Sequence, residues 1–137
     1  SPEKSNLNKL IDDLDLEDKI TFRSGIPEKE IVKTYHDSDI AVIPSLYEGF
    51  GFGAGEAMAC GVPLISTDSG GLKQVIGDAA LKIKPGSVNE IEEGILKLFS
   101  EEKIRQELAK KGRKRMEEFF DWKIAASAYI EVFKKII

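Results

Sequence analysis

The chain has one cysteine, Cys60, among its 137 residues. No internal disulfide can form, and no cluster of thiolates can hold a metal. A lone thiol suits a reducing cytoplasm, which is the expected location. Histidine is equally scarce, His36 being the only one. Positive charge is not in excess: 20 Lys and Arg against 24 Asp and Glu leave a net charge of -4. No overall basic field therefore draws the chain to nucleic acid or to an acidic membrane. No apolar run approaches the length of a membrane-spanning helix. No signal peptide is visible, and a start at Ser1-Pro2 without methionine reads as a processed or truncated chain. Internal repeats and low-complexity linkers are also lacking. The length fits one domain, and a chain of this size buries a core without a covalent staple.

What is present is an alternation of helix and strand. Leu7, Leu10, Ile11 and Leu14 recur at helical spacing. Residues 19–23 read as a short strand broken by Gly25. Pro27 takes a first helical position, with Glu28 and Glu30 at the positive end of the dipole and Ile31, Val32 and Tyr35 on one apolar face. The run 39–44 is almost continuously apolar, as in a strand covered on both faces. A glycine-rich loop leads to a short helix at 56–59, which Gly61 ends. A buried strand over 62–66, a turn or two of helix at 71–76 and a strand at 80–83 follow. From Val88 the pattern is helical to the end, broken at Asp121, which can cap the helix carrying Trp122. The fold class is thus α/β, a parallel sheet with helices on both faces. Ligands of such sheets bind outside the carboxyl ends of the strands, so the segment after Ile43 is the one to inspect.

That segment carries glycines at 49, 51, 53 and 55, which let the backbone adopt positive φ and approach a ligand closely. It runs into a helix, whose free N–H groups and dipole favour an anion such as a diphosphate. Glu48 precedes the loop and Glu56 stands at the expected helix start. Carboxylates accept hydrogen bonds from hydroxyls, so an anion site between two acids makes sense if the acids read a ribose on one side and a hexose on the other. The residues equally allow a tight strand-to-helix turn with both acids solvated.

Glu48 and Glu56 are separated by seven residues, and the text around them resembles the E-x7-E signature of retaining GT-B glycosyltransferases of the group 1 type. Further blocks carry the same resemblance: 22–25, Tyr35 through Pro44-Ser45, Gly61-Val62-Pro63, Ser69-Gly70-Gly71, 75–80 and Phe120-Asp121-Trp122. The resemblance implies a Rossmann-like C-terminal half of a GT-B enzyme that transfers a hexose from a nucleotide diphosphate sugar with retention of configuration. Glu48 would act on the transferred sugar by positioning and electrostatics, not as the nucleophile of a double displacement. Glu56 would hold the ribose hydroxyls. Gly49, Phe50, Gly51, Phe52, Gly53 and Ala54 would form the donor loop, the backbone of 52–54 meeting the diphosphate and sugar. Gly25 and Ile26 would lie near the base. The nucleotide sugar is a substrate, and neither cofactor nor metal is required in that family.

Two departures from the family pattern stand out. Lys73 and Gln74 replace a proline and a glutamate found in many relatives. The family's N-terminal acceptor domain, the glycine turn of the first donor-domain unit and its Arg/Lys pair are not in this chain. Residues 1–137 are thus expected to form one partial nucleotide-sugar-binding domain, weak in nucleotide binding and inactive alone. An exposed sheet edge is also expected, which a second copy could cover as a homo-oligomer. A GT-B epimerase and a non-catalytic nucleotide-sugar-binding module are the alternatives, although an epimerase would want more than one histidine.

The other chemistry-bearing residues read as structural. Asp37-Ser38-Asp39 has the spacing of a metal-binding triplet but falls at a helix-to-strand junction. His36 reads as a surface or half-buried side chain far from the site, Cys60 as a small buried residue, and Trp122 as a packing anchor. The run 110–115, rich in Lys and Arg, is flanked by Glu107, Glu117 and Glu118 and reads as a solvated helix face. Its alternative is a surface for membrane lipid or a partner domain, with the chain peripheral to the membrane and a membrane-proximal acceptor. Polysaccharide biosynthesis is one pathway compatible with all of this.

Overall fold

A computed structural model describes residues 2–136. The order is α1 (Pro2–Asp13), a single 3-10 turn (Glu17–Lys19), α2 (Glu28–His36), β1 (Ala41–Ile43), α3 (Phe52–Ala59), β2 (Leu64–Ser66), α4 (Leu72–Ile76), β3 (Leu81–Lys82), α5 (Val88–Ser100), α6 (Glu102–Phe119) and α7 (Trp122–Ile136). The three strands are parallel in the order β1-β2-β3. Ala41 is in register with Leu64, and Ile65 with Leu81. Both connections step the same way along the sheet, and α3 and α4 pack into one cluster on one face.

Alternation along the strands divides the core in two. Ala41, Ile43 and Leu64 join Ala54, Met58, Leu72, Val75, Ile76 and Met116 on the side of α3, α4 and α6. Ile40, Val42, Ile65 and Leu81 turn the other way, toward Leu98, Ile91 and Ile95 of α5 and Ile104 and Leu108 of α6. A sheet with apolar side chains on both faces must be covered on both, as the sequence indicates. Gly112 lets α6 lie close to α3: a Cβ there would stand 3.1 Å from Met58 Cγ.

Several local expectations are corrected. Residues 19–23 are not a strand: Lys19 ends the 3-10 turn, and 20–23 have no ladder partner among the described residues, although Ile20 is extended at φ -115 and ψ 128. Strand β1 is half-buried throughout rather than enclosed, because it pairs only with β2 and is an edge. Pro27 is the residue before α2, not its first. The terminal helical stretch breaks at Glu101 as well as at Asp121. The Asp121 cap forms as expected, its Oδ1 accepting from the Lys123 N–H at 2.7 Å. Trp122 is 87% exposed and anchors nothing, for α7 has no buried residue among those described.

The most consequential correction concerns α3. It begins at Phe52, not at Glu56. Of the glycines in the segment, Gly51 alone has positive φ, at 98°, and it is the N-cap. Gly53 and Gly55 lie inside the helix. A Cβ on Gly55 would meet Met116 Sδ at 3.7 Å and Val75 Cγ1 at 3.8 Å, ordinary contact distances, so α6 and α4 pack against this turn without excluding an alanine. At the other end, Gly61 at φ 72 terminates α3 as expected. Its N–H bonds Met58 O at 3.0 Å and that of Val62 bonds Ala57 O at 2.9 Å, the paired pattern of a left-handed helix stop.

Candidate functional site

Parallel strands leave their carboxyl ends on one edge of the sheet, and there the loops after β1 and β2 meet. Ser45 O accepts from Thr67 Oγ1 at 2.7 Å and from Ser69 Oγ at 3.1 Å. The Gly71 N–H donates to Glu48 O at 2.8 Å. The approach is closer than any side chain permits. A Cβ on Gly71 would lie against Gly49 O, 2.8 Å from Gly49 C and 2.9 Å from Phe50 Cα. Gly70, at φ 60, is equally tight against Glu48 O. The pair Gly70-Gly71 thus forms the floor on which residues 48–50 rest.

Above that floor α3 starts without a side-chain cap. Its first backbone bond is Gly55 N–H to Gly51 O at 3.1 Å, so the amides of Phe52, Gly53 and Ala54 precede it without intrahelical partners. Aligned amides at a helix start carry a partial positive charge and are suited to an anion. Glu48 is half-buried at the loop entrance, where Ser45 Oγ donates to its Oε2 at 3.4 Å. Glu56 is exposed on the second turn of α3, not at its first residue as expected. The Tyr35 hydroxyl reaches it from α2, 3.2 Å from Glu56 Oε2 and 3.3 Å from Gly53 O. Burial, and secondly the Glu56 charge, push the Tyr35 hydroxyl up to about 12.

Aromatic side chains connect this loop to the far end of α6. Phe50 and Phe52 are 4.8 Å apart between ring centroids, and Phe50 meets the edge of Phe120 at 6.2 Å. Arg115 lies over Phe119 at 5.2 Å and Phe120 at 6.0 Å. Its Nε and Nη2 donate to the carbonyls of Val75 at 2.7 Å and Gln74 at 2.6 Å, which end α4. Arg113 likewise donates to Ala59 O at the end of α3 and pairs with Glu117. The basic run is therefore not simply solvated, because two of its members close the carboxyl ends of core helices. Lys111 and Lys114 do face out, in ion pairs with Asp78 and Glu118.

The structure brings Glu48, the 49–54 segment and Glu56 together around one helix start. Gly25, at φ 63, and half-buried Ile26 precede α2, and no hydrogen bond among the described residues ties them to that segment. His36 is exposed at the end of α2, beyond the amino end of β1. Asp37 follows as that helix's C-cap, so the acidic triplet does lie at a junction. Among the described residues no three of His, Cys, Asp and Glu gather as a metal site. Cys60 is half-buried, not buried, since it caps α3 where Arg113 crosses. Burial raises its thiol pKa, and the Arg113 charge opposes the rise. No helix among the described residues is long and apolar enough to cross a membrane.

The helix start is open to solvent beside Leu46, Tyr47 and Phe52. Hollows of about 260 Å³ beside β3 and α5 and about 320 Å³ beside α6 lie elsewhere. Its rim is apolar, with Leu46, Tyr47 and Phe52 each more than 70% exposed. Tyr35, Thr67 and Arg115 were not marked as site residues in the sequence. Tyr35 sits at core spacing on an amphipathic helix, and only the packing of α2 on α3 reveals where its hydroxyl goes.

Comparison with known proteins gives the family and the fold. The family described as "Glycosyl transferases group 1" matches residues 1–115. An MMP alpha-(1->4)-mannosyltransferase from Mycolicibacterium hassiacum is 33% identical over 132 residues, 94% of this chain and 32% of that protein. The sucrose-phosphate synthase of Thermosynechococcus elongatus superposes with a TM-score of 0.88 at 28% identity, over 99% of this chain and 35% of that one. HepE of Anabaena, solved in complex with UDP, has the same fold, with a TM-score of 0.83 at 23% identity over 96% of this chain and 36% of that one. The chain spans about a third of the length of these relatives.

Proposed function

Since the chain belongs to the group 1 glycosyltransferase family and its fold matches the GT-B enzymes, we propose that it forms the donor-binding unit of a retaining hexosyltransferase using a nucleotide diphosphate sugar. The observation that carries this reading is the uncapped start of α3, with Glu48 on one side and Glu56 on the other. The diphosphate lies on the amides of Phe52, Gly53 and Ala54. Glu56 accepts hydrogen bonds from ribose hydroxyls, and Glu48 from hydroxyls of the hexose. Gly25 and Ile26 meet the base. As the bond from the anomeric carbon to the diphosphate breaks, charge grows on the leaving oxygen, and the helix start stabilises it. The acceptor oxygen bonds the same face of that carbon and passes its proton to the departing phosphate. This chemistry calls for no metal or other cofactor.

Calorimetric titration with UDP, GDP and ADP tests the reading, each repeated with Glu56→Ala. One nucleotide should bind best, and its affinity should fall about tenfold when a charged hydrogen-bond partner is lost. Equal affinity in wild type and variant would remove Glu56 from the site.

A further inference from the structure

We propose that Tyr35 is a positioning residue for the donor site, holding the Glu56 carboxylate in the orientation that reads the ribose. The inference rests on the assignment of Glu56 above. The Tyr35 hydroxyl has one hydrogen and two acceptors in reach, Gly53 O at 3.3 Å and Glu56 Oε2 at 3.2 Å. Gly53 is a helix residue whose carbonyl faces the amide four residues on, whereas the carboxylate is charged. The hydrogen therefore goes to Glu56, where the bond is charge-assisted. This fixes one oxygen of an otherwise exposed side chain and leaves Oε1 to a ligand. A carboxylate on a surface helix turn otherwise samples several rotamers, and ordering it before binding removes an entropic cost from the ligand.

The surroundings are built for this contact. A Cβ at position 53 would make only ordinary contacts, 3.8 Å from the Tyr35 hydroxyl and 3.5 Å from Ile43 Cδ1, so the hydroxyl stands packed against this turn of α3. The Tyr35 phenol is protonated and a donor at neutral pH, and burial first and then Glu56 move its ionisation further up. Phenylalanine would keep the ring and its packing and would lose only the donor.

The test has two arms. In the first, UDP, GDP or ADP, whichever binds wild type best, is titrated into Tyr35→Phe, Glu56→Ala and the double variant, alongside its 2′,3′-dideoxy counterpart. Tyr35→Phe should weaken the ribonucleotide about three- to tenfold, the effect of one hydrogen bond. It should leave the dideoxy nucleotide unchanged and have no further effect beside Glu56→Ala. Equal weakening of both nucleotides would mean a purely structural role and overturn the proposal. So would a loss with Glu56→Ala and none with Tyr35→Phe. No effect of Glu56→Ala would instead sink the ribose assignment itself. The second arm needs no ligand. In a chain carrying Tyr47→Phe and Tyr129→Phe, only Tyr35 absorbs as a phenolate. Glu56→Gln should lower its ionisation midpoint from about 12. An unmoved midpoint would show that the two groups are not bonded, and would overturn the proposal whatever the nucleotide does.

Discussion

Replacing Gly71 with alanine isolates the effect of close backbone packing beneath the donor loop. Gly71 has φ -68 and ψ -21, ordinary helical values that alanine adopts freely. On conformational grounds alone the change should stabilise the protein by about 0.4–1 kcal/mol, because the unfolded chain loses freedom. The packing reverses that sign. The new Cβ would lie 2.8 Å from Gly49 C and 2.9 Å from Phe50 Cα, both backbone atoms that no rotamer change can move. Carbon atoms meet comfortably at about 3.5–4.0 Å, so residues 49–50 must retreat by roughly 1 Å. Overpacking of this kind costs about 1–3 kcal/mol. A shift of about 1 Å at a reacting centre lowers rates on the order of a hundredfold. Thermal unfolding should therefore show a lower Tm, and nucleotide titration a weaker complex. Gly49→Ala is the control for stability, since its Cβ would meet nothing within 4 Å and its φ is not positive. A Gly71→Ala protein with an unchanged or higher Tm and unaltered nucleotide affinity would refute the packing argument.

Two further outcomes follow from the same contacts. Arg115→Lys should destabilise the protein by about 2 kcal/mol in denaturant unfolding, because an ammonium cannot reproduce two guanidinium bonds to neighbouring carbonyls and the cover over Phe119 and Phe120; equal midpoints would show that the bonds contribute nothing. Folding raises the Tyr35 pKa from 10.0 to about 12, so the folded state holds that proton more tightly. The resulting stability is full below pH 10 and is lost as pH rises through 12, so Tm should fall less steeply over that range in Tyr35→Phe than in wild type.

The layered α/β order was legible because burial on both faces leaves nearly continuous apolar runs at 39–44 and 62–66. The stops at Gly61 and Asp121 were legible because their chemistry is local. What stayed hidden depends on distant partners. Gly53 and Gly55 look like loop residues until α6 and β1 are seen against them. Arg113 and Arg115 look like members of a solvated run until the ends of α3 and α4 come to meet them. Residues 19–23 have strand composition, yet a strand exists only through a partner's ladder. Trp122 looks like core by residue type alone, and its actual neighbours are solvent.

The earlier start of α3 changes what the spacing of the two acids means. With a helix beginning at Glu56, the seven intervening residues would all be loop, and the distance between the carboxylates would vary with loop motion. With α3 beginning at Phe52, only residues 49–51 lie between Glu48 and rigid structure. The four steps from Phe52 to Glu56 then rise a fixed distance of about 6 Å along the helix. Each element of that path is held from outside: Glu48 O by the Gly71 amide, Gly51 against Leu72, and Glu56 by Tyr35. A Cβ on Gly51 would fall 2.6 Å from Leu72 Cδ2, so the N-cap lies against the Leu72 side chain at the start of α4. The spacing therefore leaves three linking residues between Glu48 and the helix and puts Glu56 one turn beyond its first residue. On the proposed assignment, a ligand with hydroxyls at both ends and negative charge between them meets a site already ordered, and little of its binding energy is spent arranging the protein.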